Sequence, residues 1–143
     1  MVQILANLPD FLREQILRKR LQEFFIFDES DKCETVSMAL NAASSMEAQK
    51  LAVLVKTWME VLSEFDTSTI VLMLRLYCEE ILRDRSAIEK LNMDCLIQAF
   101  MTLNEVKKQK FIDCLKESMF SVPNWHKIIQ IMPSAAIEIL EMK

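Results

Sequence analysis

Apolar residues recur every three to four positions along most of the chain, which is the spacing of one helix face. The clearest case is the segment 45–65, whose apolar face comprises Leu51, Leu54, Val55, Trp58, Leu62 and Phe65. The pattern predicts about eight or nine helices with short connections. Their spans are 8–26, 31–42, 45–65, 67–84, 86–91, 93–103, 105–120, 124–131 and 134–142. We therefore expect residues 1–143 to form one all-α domain, either a multi-helical bundle or a short helical-repeat stack.

Several residues mark where these helices should begin or end. Ser44 with Glu47 and Ser86 with Glu89 fit the S-x-x-E capping box, and Asp66 precedes the apolar run of the next helix. Asparagine also favours helix ends, while proline is tolerated in the first turn. Helix ends are accordingly predicted at Asn7, Asn41, Asn92, Asn104, Asn124, Pro9, Pro123 and Pro133.

The chain contains no glycine. Glycine supplies the positive φ angles that phosphate-binding loops and the tightest hairpin turns need. Its absence excludes the Walker loop, the dinucleotide fingerprint, the G-x-S-x-G elbow and the EF-hand loop. It also favours helices over sheets.

Two segments sixty residues apart are similar. The sequence AQKLAVLVKTWM (Ala48–Met59) aligns with KQKFIDCLKESM (Lys108–Met119), and Gln-Lys occurs at the same place in both. A duplicated helical hairpin would produce this similarity. Two unrelated amphipathic helices aligned on their apolar faces would also share most of these positions. Both interpretations stay open.

The two ends of the chain share a second pattern. ILANLPDFLREQIL (Ile4–Leu17) and IIQIMPSAAIEIL (Ile128–Leu140) each place a proline at the start of an amphipathic helix. Both resemble the L-x-x-L-P helix openings in the superhelical repeats of flagellar motor-switch proteins and of magnesium-transporter cytosolic domains. The resemblance is confined to these two segments and assigns no functional residue.

Composition and charge narrow the class of protein. The 143 residues are 52% hydrophobic, with a net charge of −4 and a pI near 5.1. This balance indicates a folded domain and disfavours nucleic acid or an anionic membrane as partner. The longest apolar run, Ile70–Leu74, is far shorter than the roughly 20 residues of a membrane span. No secretory signal is evident. We expect a cytoplasmic protein with reduced, buried thiols at Cys33, Cys78, Cys95 and Cys114.

The titratable residues do not form a pattern typical of catalysis. The single histidine, His126, excludes HExxH zinc motifs, and no nucleophile accompanies it. Glu79 and Glu80 are neighbours and so point about 100° apart on a helix. Arg75, Glu79 and Arg83 are four residues apart, which is the spacing of a salt-bridged stripe on the surface of a helix. We predict no catalytic residue, no metal and no cofactor, and hence a non-enzymatic protein.

Two basic clusters suggest an alternative, a helical regulator that contacts nucleic acid. Phosphate binding would require their cations on one surface with few acids nearby. In the first cluster, however, Glu14 is placed to pair with Arg18, and Lys19 with Glu23. The residues of this alternative are Arg13, Arg18, Arg20, Lys107, Lys108 and Lys110.

The aromatic residues indicate the predicted function, a protein–protein interaction module that binds another protein or a second copy of itself. The sequence FFIF (Phe24–Phe27) ends the first predicted helix, and one helix face cannot bury all four side chains. Aromatic residues are common anchors in partner grooves. The predicted contacts are Phe24, Phe25, Phe27, Trp125, His126 and Lys127. A further alternative is a binder of small apolar ligands, with a cavity lined by Met, Phe and Cys.

Overall fold

Ten helices make up the part of the chain that the computed structural model describes, which is residues 2–140, with side chains for 4–86 and 88–140. They are α1 (Val2–Ala6), α2 (Asp10–Phe24), α3 (Glu29–Ser44), α4 (Ala48–Leu62), α5 (Thr67–Arg83), α6 (Ser86–Lys90), α7 (Met93–Met101), α8 (Glu105–Phe120), α9 (Trp125–Ile131) and α10 (Ser134–Leu140). These residues include no strand, and the predicted all-α, multi-helical fold is confirmed. The prediction missed α1, which is a single short turn of helix.

The longer helices lie in two rows. In one row α2 packs on α4 and α4 packs on α7, and in the other α3 packs on α5, α5 on α8, and α8 on α10. Helix α1 contacts α2, α3 and α4, while α6 lies against α3 and α9 against α5. Helices that are consecutive in sequence thus alternate between the rows, as helical hairpins do in a stack.

The sixty-residue similarity does not follow this stacking. A repeated hairpin would relate α4 to α7 and α5 to α8, because these helices occupy successive places within one row. The offset of sixty residues instead aligns α4 with α8, which belong to different rows. The common apolar spacing is explained by each helix burying one face against its neighbours.

The hydrophobic core is centred on α4 and α5. Val61, Leu62 and Ile70, which flank the turn between these helices, are almost completely inaccessible to solvent. Helix α5 is covered by α3, α8 and α9, and five residues of its apolar run are buried. A smaller cluster joins Leu51 of α4 to Leu91 and Cys95, and another forms around Cys78, Met119, Val122 and Ile128.

Asparagine and aspartate side chains begin four of the helices. Asp66 Oδ1 accepts a hydrogen bond from the Thr69 amide at 2.9 Å. Equivalent bonds are made by Asp28 before α3, Asn92 before α7 and Asn104 before α8. Asn124 precedes α9 with φ of 64°, the left-handed conformation that usually needs glycine. These positions confirm most of the predicted helix boundaries.

The two serine capping boxes were predicted wrongly. Ser44 is the last residue of α3, and its hydroxyl donates to the carbonyl of Asn41. Asn41 itself lies inside α3 and does not end a helix. Ser86 is already within α6, and its hydroxyl donates to the Asp84 carboxylate. Serine hydroxyls readily bond to nearby backbone or side chains in this way, so the S-x-x-E spacing alone is ambiguous.

Arg13 is the one cation of the predicted basic clusters that is fully buried, at 4% exposure. Its Nε donates to the Leu5 carbonyl at 3.0 Å, Nη1 donates to Asp10 at 2.7 Å, and Nη2 donates to the Leu8 carbonyl. Nη1 also lies 3.5 Å from Thr57 Oγ1 on α4. The guanidinium therefore joins α1, α2 and α4, and is not available to bind a phosphate.

Replacing Arg13 with methionine should destabilise the fold, because the carbonyls of Leu5 and Leu8 would lose their donor in a buried place. We expect a loss of about 2 kcal/mol or more in the free energy of unfolding, measured by urea denaturation. The matched control is Arg20→Met, since Arg20 makes an exposed ion pair with Glu23. It should change the stability by less than about 1 kcal/mol. Equal losses in the two variants would contradict the buried role of Arg13.

The cap at Asp66 should make part of the stability depend on pH. Hydrogen bonds from the side chain and the amide of Thr69 lower the pKa of this carboxyl below its usual value. A carboxyl group whose pKa is lowered by folding stabilises the fold at pH values above its ordinary pKa. This contribution disappears as the pH falls through the lower pKa of the folded state. Asp66→Ala should therefore reduce the urea midpoint at pH 7, and the difference from the wild type should shrink below about pH 4. Asp113→Ala, at an exposed position within α8, is the control and should show no such convergence.

Candidate functional site

Three helix–helix turns form one side of the molecule, which we call the turn edge: residues 25–28, 63–66 and 101–106, the last of which includes the end of α7 and the first two residues of α8. The turns are adjacent because α2, α4 and α7 of one row all end here. The rings of Phe25 and Phe65 lie 5.4 Å apart and join the first turn to the second. Lys110 of α8 donates to the carbonyls of Ser63 and Phe65, which joins the second turn to the third.

Large apolar side chains are exposed along the turn edge. Ile26 is 85% exposed, Phe27 is 41% exposed and Val106 is 79% exposed. Met101, at the end of α7, is also exposed. Val106 shares a face of α8 with Lys110, four residues later, so it lies beside the second turn. Exposed apolar groups that are close together typically mark a binding surface.

Phe24 is not one of these exposed groups, contrary to the prediction that it contacts a partner. It is only 4% exposed and packs in the main core. Its ring meets those of Phe25 and Phe27 at 5.3 and 6.2 Å in edge-on geometry. Phe24 therefore supports the turn edge from beneath, while Phe25 is half-buried and Phe27 faces solvent. Helical periodicity could have indicated this, since Phe24 follows the buried Leu17 and Leu21 on one face of α2.

Charged groups hold the same turns in place. Arg18 of α2 binds both carboxylate oxygens of Glu64, at 2.8 and 2.9 Å, and also binds Glu14 at 3.0 Å. The Glu14–Arg18 pair confirms the sequence prediction. The hydrogen bonds from Arg18 lower the pKa of Glu64, and the nearby charge of Lys107 adds to this effect. Glu64 therefore stays ionised at neutral pH and keeps Arg18 beside the second turn.

The remaining cations of the predicted nucleic-acid surface also lie near acids or carbonyls. Arg20 binds Glu23 at 3.0 Å, although Lys19 was the predicted partner of Glu23. Lys108 lies 3.3 Å from Glu105. Together with the buried Arg13, the paired Arg18 and the carbonyl-bound Lys110, the cations do not form the uncompensated basic surface that phosphate binding favours.

The second predicted patch lies at the other end of α8. Trp125 is half-buried and meets the ring of Phe120 edge-on at 4.8 Å, while His126 and Lys127 are exposed. Helix α8 has sixteen residues and is about 24 Å long, so this patch is well separated from the turn edge. Phe120 is half-exposed and belongs to this patch, although the sequence prediction omitted it.

The predicted stripe of charges on α5 is present with one different pair. Arg75 binds Glu79 at 2.9 Å, four residues later, as expected. Arg83 binds Glu80, and not Glu79. The Arg75–Glu79 pair is exposed on both sides, so it contributes little to stability.

Burial keeps the core thiols protonated. The pKa of Cys78 is raised to about 11 by desolvation, and desolvation also raises the pKa of Cys114. Tyr77, which packs edge-on against Trp58, has a pKa raised to about 12 for the same reason. Cys78, Cys95 and Cys114 are buried as predicted, whereas Cys33 is exposed. High thiol pKa values are typical of structural cysteines.

A cavity of about 120 Å³ lies between α7, α8 and α10, with Met59 of α4 at its inner end. Helix α7 contributes four side chains, Met93, Leu96, Ile97 and Phe100. Helix α8 contributes Phe111, Ile112 and Leu115, and α10 contributes Ala136, Ile139 and Leu140. Every lining residue is apolar. Methionine and phenylalanine line the cavity as the apolar-ligand alternative predicted, but no cysteine does.

Comparison with protein-family models, with curated proteins and with solved structures finds no match to this chain. Among residues 2–140, no helix has both the length and the apolar character needed to cross a membrane. Within the same residues, no three His, Cys, Asp or Glu side chains are grouped so that they could hold a metal ion.

The contacts of Lys110 with the α4–α5 turn yield a test of how the turn edge is held. Lys110→Met keeps the aliphatic part of the side chain but removes the donor to the Ser63 and Phe65 carbonyls. We expect a loss of about 1–2 kcal/mol in urea denaturation and faster amide exchange of the turn. Lys108→Met is the control, because its bond to Glu105 is local to α8, and it should lose less than about 0.5 kcal/mol. If amide exchange in residues 63–66 were the same in both variants, Lys110 would not hold the turn.

Proposed function

We propose that this chain is a non-enzymatic protein–protein interaction module and that its contact surface is the turn edge. The observation that carries the proposal is the exposure of Ile26 and Phe27 on the first turn and of Val106 at the start of α8, beside turns that are tied to one another. Binding residues are often found on turns that a rigid helical scaffold positions.

Burial of these side chains would supply much of the binding energy. Removing one large apolar side chain from water contributes about 1.5–3 kcal/mol. Aromatic residues near the centre of an interface are often the residues that dominate binding. Phe27 and Ile26 would therefore be the main anchors, and Val106 would extend the apolar surface.

The fixed geometry of the turns favours binding as well. The tilted rings of Phe25 and Phe65 pack against each other between two of the turns, and Arg18–Glu64 and Lys110 fix the same turns. A surface that is already ordered loses less conformational entropy when a partner binds. This support is independent of the apolar area.

The partner in this proposal is another protein or a second copy of the chain. Nucleic acid has less support, because Arg13 is buried, Arg18, Arg20 and Lys108 are paired with acids, and Lys110 is bound to carbonyls. We also propose a cytoplasmic location, for which the four unpaired cysteines are the supporting observation.

The proposal is tested with a variant of the turn edge, Ile26→Ser with Phe27→Ser. Light scattering after size-exclusion chromatography measures self-association of the full chain over a range of concentrations. Quantitative affinity capture from cell extract, followed by titration of each purified candidate, measures binding to other proteins. We expect a dimer or one specific partner for the wild type, and at least tenfold weaker binding for the double variant.

The matched control is Phe120→Ser, which removes an exposed aromatic side chain at the opposite end of α8. It should leave the binding unchanged. Urea denaturation of both variants checks that they remain folded. Loss of binding in Phe120→Ser but not in the double variant would assign the interface to the Trp125 patch instead. A monomeric wild type without a specific partner would overturn the proposal.

A further inference from the structure

We propose that the cavity between α7, α8 and α10 is a binding site for one small, uncharged apolar molecule, about the size of a benzene ring. The turn edge is not involved in this site. Three observations carry the inference: the chemistry of the lining, the volume and the opening toward solvent.

The lining offers nothing for a polar ligand or for water. Met59, Phe100 and Phe111 form the inner wall and are buried, and their side chains carry no nitrogen or oxygen. Water that enters from the open side finds no polar partner on these walls, so an apolar ligand displaces it readily. A charged or hydrogen-bonding ligand would lose its hydration without compensation. The chemistry therefore selects a neutral, apolar ligand.

The volume sets the size of that ligand. An engineered apolar cavity of about 150 Å³ in another protein binds benzene or xenon. The volume here is about 120 Å³, which is similar. Ala136 accounts for the space, because it lies on the same face of α10 as Ile139 and Leu140 but has only a methyl side chain.

The cavity is accessible from the surface. Ile97, Ile112, Leu115 and Ile139 line it and are only half-buried, so its outer side reaches solvent. Helix α10 forms that side, has only seven residues and packs mainly on α8. A small displacement of α10 would be enough to admit a ligand.

The experiment is a titration of the full chain with benzene, followed by NMR of the methyl groups of methionine, isoleucine and leucine. We expect saturable shifts at Met93, Ile112 and Leu140, together with an increase of several degrees in Tm. Hydroquinone should bind at least tenfold more weakly, because one of its two opposite hydroxyl groups must face the apolar inner wall without a partner. Equal binding of hydroquinone and benzene would overturn the assignment to apolar ligands.

The variant Ala136→Leu should fill the cavity, abolish the benzene-induced shifts and increase Tm in the absence of benzene. Ala135→Leu is the matched control, because Ala135 is the exposed neighbour on the same helix, and it should bind benzene like the wild type. If Ala136→Leu does not fold, Ile112→Phe serves as the cavity-filled variant instead, because its larger side chain fills the same space from α8. Absence of saturable shifts in the wild type, or equal shifts in a folded cavity-filled variant, would overturn the proposal.

Discussion

The packing of the α4–α5 hairpin connects the two rows of helices. Helix α4 contacts α1, α2 and α7 of one side, while α5 contacts α3, α8 and α9 of the other. Val61, Leu62 and Ile70 flank the turn between the two helices and are among the most deeply buried residues of the core. Because both rows meet at this hairpin, any residue that fixes its turn also fixes the turn edge. Lys110 and Arg18 do so from α8 and α2.

The absence of glycine influences how the helices are joined. Among the described residues, most of the turns end without a left-handed residue, and four of the helices are begun by an aspartate or asparagine side chain. Asn124 is the exception among the described residues, since it takes the left-handed conformation itself. Side-chain caps of this kind define the first turn of the next helix and stabilise it. The caps at Asp28, Asp66 and Asn104 thereby order all three turns that form the turn edge.

The periodicity of apolar residues predicted the longer helices closely, because each of them buries one face or, in α5, most of its surface. It could not predict the fate of single residues that depend on distant contacts. The sequence around Arg13 is typical of an exposed helix. Its guanidinium nevertheless donates to Leu5 and Leu8, which precede α2, and to Asp10, the first residue of α2. Phe24 and Phe27 are three residues apart, but α2 ends between them, so one is buried and the other exposed. The cavity could not be predicted from the sequence either, because it depends on how α10 packs against α8.

The turn edge and the cavity both leave apolar groups uncovered, but they differ in shape and therefore in what can cover them. Ile26, Phe27 and Val106 are exposed at the turn edge. In the proposed function, a partner covers them with a groove of its own. The cavity is concave and limited by Ala136, so a single larger side chain would fill it from within. The protruding surface thus points to a macromolecular partner, while the concave one points to a small ligand.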